Sequence, residues 1–221
     1  MIMLGALPGC ADSLSAVHPA GPAAAAIATL WWVMLSGASV IFLMVMGLVG
    51  LAFRHRPADG IPGPETGAER VWLLGLGLGF SLSVLALLLG YGLVIGERLL
   101  PRPGADVVRV AAVARQWSWR FAYADAPGRV TENILNIPAG RPVDVQISTE
   151  DVIHSFWVPR LAGKLDAVPG HVNTLRLEAW EPGRYQGVSA EFSGPGYRGH
   201  TFTVVAHAPA EWDAFLKGNS E

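Results

Sequence analysis

"DVVRVAAVARQWSWRFAY", Asp106 to Tyr123, decides how the second half of this chain folds. Apolar side chains alternate with polar ones in short runs, a spacing that suits strands with one buried face. The same texture returns in "RPVDVQIST" (Arg141–Thr149), "VNTLRLEAW" (Val172–Trp180) and "TFTVVAHA" (Thr201–Ala208). Turn formers stand between them: "DAPGR" at Asp125–Arg129, "IPAGR" at Ile137–Arg141, "EPGR" at Glu181–Arg184 and "SGPG" at Ser193–Gly196. Short strands broken at intervals of about ten to fifteen residues by Gly/Pro turns predict an antiparallel β-sandwich or barrel over residues 101–207. The stretch "PAEWDAFLKGN", Pro209–Asn219, reads as a short amphipathic helix within a C-terminal segment, residues 208–221.

The first half is of a different kind. The chain has 221 residues, of which 51% are hydrophobic and only 15% charged, against roughly a quarter charged in soluble domains. Between Asp12 and Arg54 there is no Asp, Glu, Lys or Arg, and Ala23–Phe53 is apolar almost throughout. A bilayer core takes roughly 20 apolar helical residues, so this stretch predicts a membrane-spanning helix. A second charge-free run, Val71–Gly96, ends at Glu97 and Arg98. Its glycines weaken a helix in water but allow close helix approach in lipid. Residues 23–98 therefore predict a transmembrane hairpin. Arg54, Arg56 and Arg70 in the connecting loop, residues 54–70, favour a cytoplasmic loop and external termini.

A net charge of −2 supplies no basic field for nucleic acid. The chain has one cysteine, Cys10, so no internal disulfide forms. "LPGC", Leu7–Cys10, in the N-terminal segment 1–22, resembles the bacterial lipoprotein processing site. Processing there would leave Cys10 lipidated, a second anchor beside the helices.

Three segments together resemble subunit II of the haem-copper terminal oxidases. "QWSWRFAY" (Gln116–Tyr123) resembles that family's aromatic segment. "DVIHSFWVPRLAGKLDAVPGHVN" (Asp151–Asn173) is a long match that includes a ligand-bearing histidine position, His154. "EPGRYQGVSAEFSGPGYRGHTF" (Glu181–Phe202) aligns with the family's copper loop. The resemblance implies a membrane α-hairpin carrying an external all-β cupredoxin-like sandwich in the periplasm of a bacterial cytoplasmic membrane.

In cytochrome c oxidases the copper loop reads Cys-x-Glu-x-Cys-x3-His-x2-Met and, with one earlier histidine, holds two coppers. On this sequence the cysteine positions carry Ser189 and Ser193, the histidine position Tyr197 and the methionine position His200. His154 and Glu191 alone keep the family's residue types. A serine hydroxyl is a hard, un-ionised ligand near neutral pH and does not replace a bridging thiolate. The resemblance therefore implies a vestigial site without the dinuclear centre. "YQGVSAEFSGPGYRG" also resembles the loop of the copper-less quinol oxidases, such as the bo-type ubiquinol oxidases, beyond the missing ligands.

That branch implies a chain with no redox cofactor of its own. Haems and copper would lie in subunit I, ubiquinol would deliver electrons there, and subunit III would complete the assembly. Trp117, at the position where cytochrome c oxidases pass electrons to copper, is expected as a packed aromatic at the membrane surface. Glu191 is a possible contact of a magnesium ion shared with subunit I. Arg160, Lys164 and His171 are expected as subunit contacts, and Glu97 as an interfacial charge. Two other readings stand beside this one. The first is a cytochrome c oxidase subunit that has lost its copper relay, favoured by Trp117 and Glu191. The second is a cupredoxin-derived binding or assembly protein that carries no electrons.

Overall fold

The computed structural model describes residues 12–54, 67–104 and 106–218. Cys10, most of the loop 54–70 and the last three residues lie outside the described residues. The chain divides into two compact units, Leu30–Arg98 and the remainder.

The first unit holds most of the two apolar helices. α1 (Pro22–Arg54) is 33 residues long and α2 (Val71–Leu99) is 29, and both are long and apolar enough to cross a membrane. Every residue from Trp31 to Val40 is exposed, Trp31 and Trp32 among them, as lipid-facing residues are in the absence of lipid. Val71–Phe80 runs as π-helix before the α-helical Ser81–Leu99. Backbone groups inside a bilayer need internal partners, and the hydroxyls of this unit follow suit. Ser39 Oγ donates to the Leu35 carbonyl and Ser83 Oγ to that of Gly79, both at 2.8 Å.

The second unit is a two-sheet sandwich. One sheet has the order β3 (Val130–Glu132), β2 (Ser118–Tyr123), β1 (Val108–Arg115), β5 (Val143–Thr149), β8 (Asn173–Leu177). The other has the order β4 (Ile134–Pro138), β10 (Thr201–His207), β9 (Gly183–Ser189), β6 (His154–Trp157), β7 (Lys164–Ala167). The expected sandwich is present, but it is not purely antiparallel. β1 runs parallel to β5, with Val110 opposite Val145, and β10 runs parallel to β4, with Val204 opposite Leu135. Alternation along a strand reports which face is buried, not which way a distant partner runs, so direction was not legible in it.

The alternation itself does its expected work. Val108, Val110, Ala112 and Ala114 of β1 face inward, as do Trp119, Phe121 and Tyr123 of β2. Across the interior stand Phe156 and Phe202, stacked with centroids 4.7 Å apart, and Trp119 meets Phe156 edge-on at 5.3 Å. Phe202 lies opposite Gly187 in the β9–β10 pair. A Cβ on Gly187 would come within 2.3 Å of that ring, so the strand carries glycine there. α3 (Pro209–Lys217) closes the edge by burying Trp212 and Phe215, as its amphipathic pattern predicts.

The segment before α1 belongs to this unit too. The Ala20 amide donates to the Arg160 carbonyl at 2.7 Å, and the Trp180 amide donates to the Ala20 carbonyl at 2.9 Å. Gly21 comes so close to the Glu178 carbonyl that a Cβ would lie 2.0 Å from its oxygen.

Candidate functional site

Four of the six positions of the copper-loop pattern converge on one buried cluster at an end of the sandwich. His154 opens β6 and is 0% exposed; His200 immediately precedes β10 and is 1% exposed. Their rings stand edge to face with centroids 5.0 Å apart. Ser189, at the end of β9, and Ser193, in the following loop, are buried with them. The strand ladder brings them together: the Ser189 amide donates to the His200 carbonyl at 2.9 Å, and the Ala190 amide to the Ser155 carbonyl at 2.9 Å. The Ser155 amide reaches Ser189 Oγ at 3.4 Å.

The other two positions sit at the rim, half-buried. Tyr197 packs edge-on against Phe192 at 5.3 Å, and the Glu191 carboxylate accepts from the Phe192 amide at 3.0 Å. Gly194 and Gly196 both have positive φ, 107° and 114°, a region closed to most other residues. They fold the loop into a turn in which the Tyr197 amide donates to the Gly194 carbonyl and the Gly199 amide to that of Gly196.

Asp151 ties this cluster to the β1–β2 turn. Its Oδ1 accepts from His154 Nε2 at 2.8 Å and from the Val152 amide at 2.6 Å; its Oδ2 accepts from the Gln116 amide at 2.7 Å. Burial alone would raise this carboxyl's pKa. The bonds from His154, Gln116, Val152 and Thr149 outweigh that and hold it down at about 2. Gln116 Nε2 then donates to the Ser193 carbonyl at 2.5 Å. Trp117 follows, 41% exposed, with its indole against Gly194 and Gly196, where a Cβ on Gly196 would lie 3.3 Å from the ring. The tryptophan is thus a fixed, half-open aromatic on the copper-type loop, packed by that loop's own turn.

His200 is held neutral. Burial pushes its pKa down to about 4, and neighbouring His154 adds to the fall; the Ser118 backbone and Asp151 act in the opposite sense. Neither ring nitrogen of His200 makes a well-formed hydrogen bond, nor does Nδ1 of His154, Oγ of Ser155 or Oγ of Ser193. Trp119 stacks on His200 at 5.6 Å. Trp119, Asp151 and Ser155 are the members of the site that sequence reasoning passed over. The signal for Asp151 was its place three residues before His154 in a turn; Trp119 was marked only as part of an aromatic segment.

Among the other expected residues, Arg160 Nε donates to the His18 carbonyl at 3.0 Å and its guanidinium lies over the Tyr185 ring. Lys164 and His171 are exposed, on β7 and the loop after it.

This fold is that of a known class. A crystal structure of the periplasmic domain of subunit II of cytochrome oxidase from Bradyrhizobium japonicum superposes with a TM-score of 0.50 at 24% identity, covering 53% of this chain and 95% of that one. The family model "Cytochrome C oxidase subunit II, periplasmic domain" matches residues 129–207. "Cytochrome c oxidase subunit 2" of Alkalihalophilus pseudofirmus is 30% identical over 97% of this chain and 65% of its own length. "Quinol oxidase subunit 2" of Bacillus cereus is 29% identical over 96% of this chain and 75% of its own length. Over residues 129–207 the chain carries the periplasmic domain of the cytochrome c oxidase subunit II family. It is similar both to relatives named for cytochrome c and to relatives named for quinol.

Proposed function

We propose that this chain is subunit II of a proton-pumping quinol:oxygen oxidoreductase, lying in the bacterial cytoplasmic membrane with its sandwich in the periplasm. It anchors through α1 and α2, caps subunit I and carries no redox centre. Subunit III completes the assembly, and ubiquinol delivers electrons to haem within subunit I. The observation that carries this reading is the pair of buried hydroxyls, Ser189 and Ser193, at both bridging-thiolate positions.

A dinuclear copper centre does not fit this donor set. Thiolates are soft and charged; the residues present offer hydroxyls that stay protonated near pH 7 and two imidazoles. One of the two, His154, already gives Nε2 to Asp151. Electrons must then enter the complex by a route that does not cross this domain, as a membrane-soluble donor allows. Glu191, whose carboxylate turns to its own neighbour's amide, still offers its main-chain carbonyl to a magnesium ion shared with subunit I. Cys10 is lipidated in this reading, and the mass of the N-terminal peptide tests that.

One observation favours a second reading, a cytochrome c oxidase whose electrons bypass the lost relay. Trp117 remains half-exposed and packed against Gly194 and Gly196, and the Alkalihalophilus relative carries a cytochrome c name. Oxygen uptake by the purified complex separates the two. Turnover with ubiquinol and not with reduced cytochrome c supports the first reading. Turnover with cytochrome c alone overturns it.

A further inference from the structure

α1 is one continuous helix, but its surroundings change part-way along it. In its first two turns Ala24 and Ala28 are 2% and 5% exposed, and Ile27 packs against Gly163 of the sandwich unit. The Ala24 amide donates to the Leu161 carbonyl at 3.2 Å, a bond that leaves the helix for the β-domain. From Thr29 onward no residue of α1 is buried, and the division between the two compact units falls between Thr29 and Leu30. Immediately past that division stand Trp31 and Trp32, edge to face at 4.6 Å.

Length sharpens the point. At about 1.5 Å per residue a helix of 33 residues runs roughly 50 Å, well beyond a hydrocarbon core of about 30 Å. From Trp32 to Phe53 the helix runs roughly 33 Å, which fits the core and ends at Arg54. Tryptophan settles at the boundary between hydrocarbon and headgroups, where an apolar ring and an N–H are both accommodated.

We infer that the outer lipid headgroup layer meets α1 at Trp31 and Trp32, and that residues 22–29 are a water-side part of the external domain. The partner of this aromatic pair is the lipid interface itself. The inference rests on the membrane anchoring of the chain and is independent of its electron donor, so the oxygen-uptake assay and the following one fail separately.

The test is electron paramagnetic resonance on the full chain carrying Cys10→Ser, in phosphatidylcholine vesicles. Single spin labels are placed through Ala25→Cys, Thr29→Cys, Val33→Cys, Gly37→Cys and Val40→Cys. Collisions with oxygen are compared with collisions with a water-soluble nickel chelate. Nickel is expected to dominate at residues 25 and 29 and oxygen from 33 onward, so the logarithm of their ratio changes sign beside the tryptophans. Oxygen dominance already at residue 25 would overturn the inference. Low accessibility to both reagents from 33 to 40 would also overturn it, since protein and not lipid would then cover the helix. With Trp31→Leu and Trp32→Leu together, the sign change is expected to move along the helix; an unmoved crossing would remove the pair from its assigned role.

Discussion

The indole of Trp119 lies on the imidazole of His200, ring centroids 5.6 Å apart and planes at 28°. An imidazole in that position has an apolar neighbour on its face and no well-formed hydrogen bond at either nitrogen. It is packed as an aromatic side chain, and its charge state follows from that packing.

The first prediction is acid sensitivity. His200 is lowered by burial from an ordinary 6.5 to about 4, so between those values the unfolded chain binds a proton that the folded one refuses. Stability is complete above pH 6.5, falls as pH drops towards 4, and loses up to about 3 kcal/mol from this group. Asp151, held at about 2 against an ordinary 3.8, adds a second loss between those values. The free energy of unfolding of the external domain, followed from pH 7 to 3, is expected to decline in the upper window, and His200→Phe is expected to flatten that part of the curve.

Asp151→Ala is expected to destabilise the domain by at least about 2 kcal/mol, because the amides of Gln116 and Val152 and the His154 N–H lose their acceptor together. Hydrogen exchange reads this directly: the amides of residues 116 and 152 should lose protection while those of β9 and β10 keep theirs.

Gly187→Ala places a methyl within 2.3 Å of the Phe202 ring. The ring stacks on Phe156 and has little room to yield, so a cost of about 1–3 kcal/mol is expected. A thermal midpoint equal to that of the parent chain would contradict the packing described.

Ser189→Cys alone is expected to yield no copper–thiolate absorption when copper(II) is added to the purified chain. One thiolate among hydroxyls does not rebuild a bridged pair. An intense visible band in this variant would refute the account of why the loop holds no dinuclear centre.

Trp117→Phe distinguishes the two electron routes. Oxygen uptake with ubiquinol is expected to be unchanged, because the exposed indole lies on no path to haem in that reading. A marked fall in turnover with reduced cytochrome c would instead place the ring in electron entry.

Much of this was legible in the residues. A run with no charge from Ala23 to Phe53 leaves little besides a membrane helix, and alternation in Val108–Ala114 fixes which side chains face inward. That His154, Ser189, Ser193 and His200 occupy positions of one loop pattern followed from the family resemblance, whereas their burial together is visible only in the fold. The parallel pairing of β1 with β5 was not legible, since it depends on segments about thirty residues apart and leaves no mark on either strand's periodicity. Asp151 escaped notice because two of its four partners are backbone amides, of Gln116 and Val152, which carry no signature in sequence. The assignment of the first turns of α1 to the β-domain was hidden for a related reason. Alanines at 24 and 28 suit lipid and a protein contact equally well.

The bridge between Ala20 and Trp180 joins points roughly 160 residues apart, and both membrane helices lie between them. During synthesis the early segment reaches the outer side first, with Ala24 and Ala28 still without the surface that will cover them. That surface, Val158 to Trp180, is made only after the second helix and the first six strands of the sandwich. The clasp at the start of α1 therefore closes late, and a chain interrupted before Trp180 would leave that start waiting for a partner that never arrives.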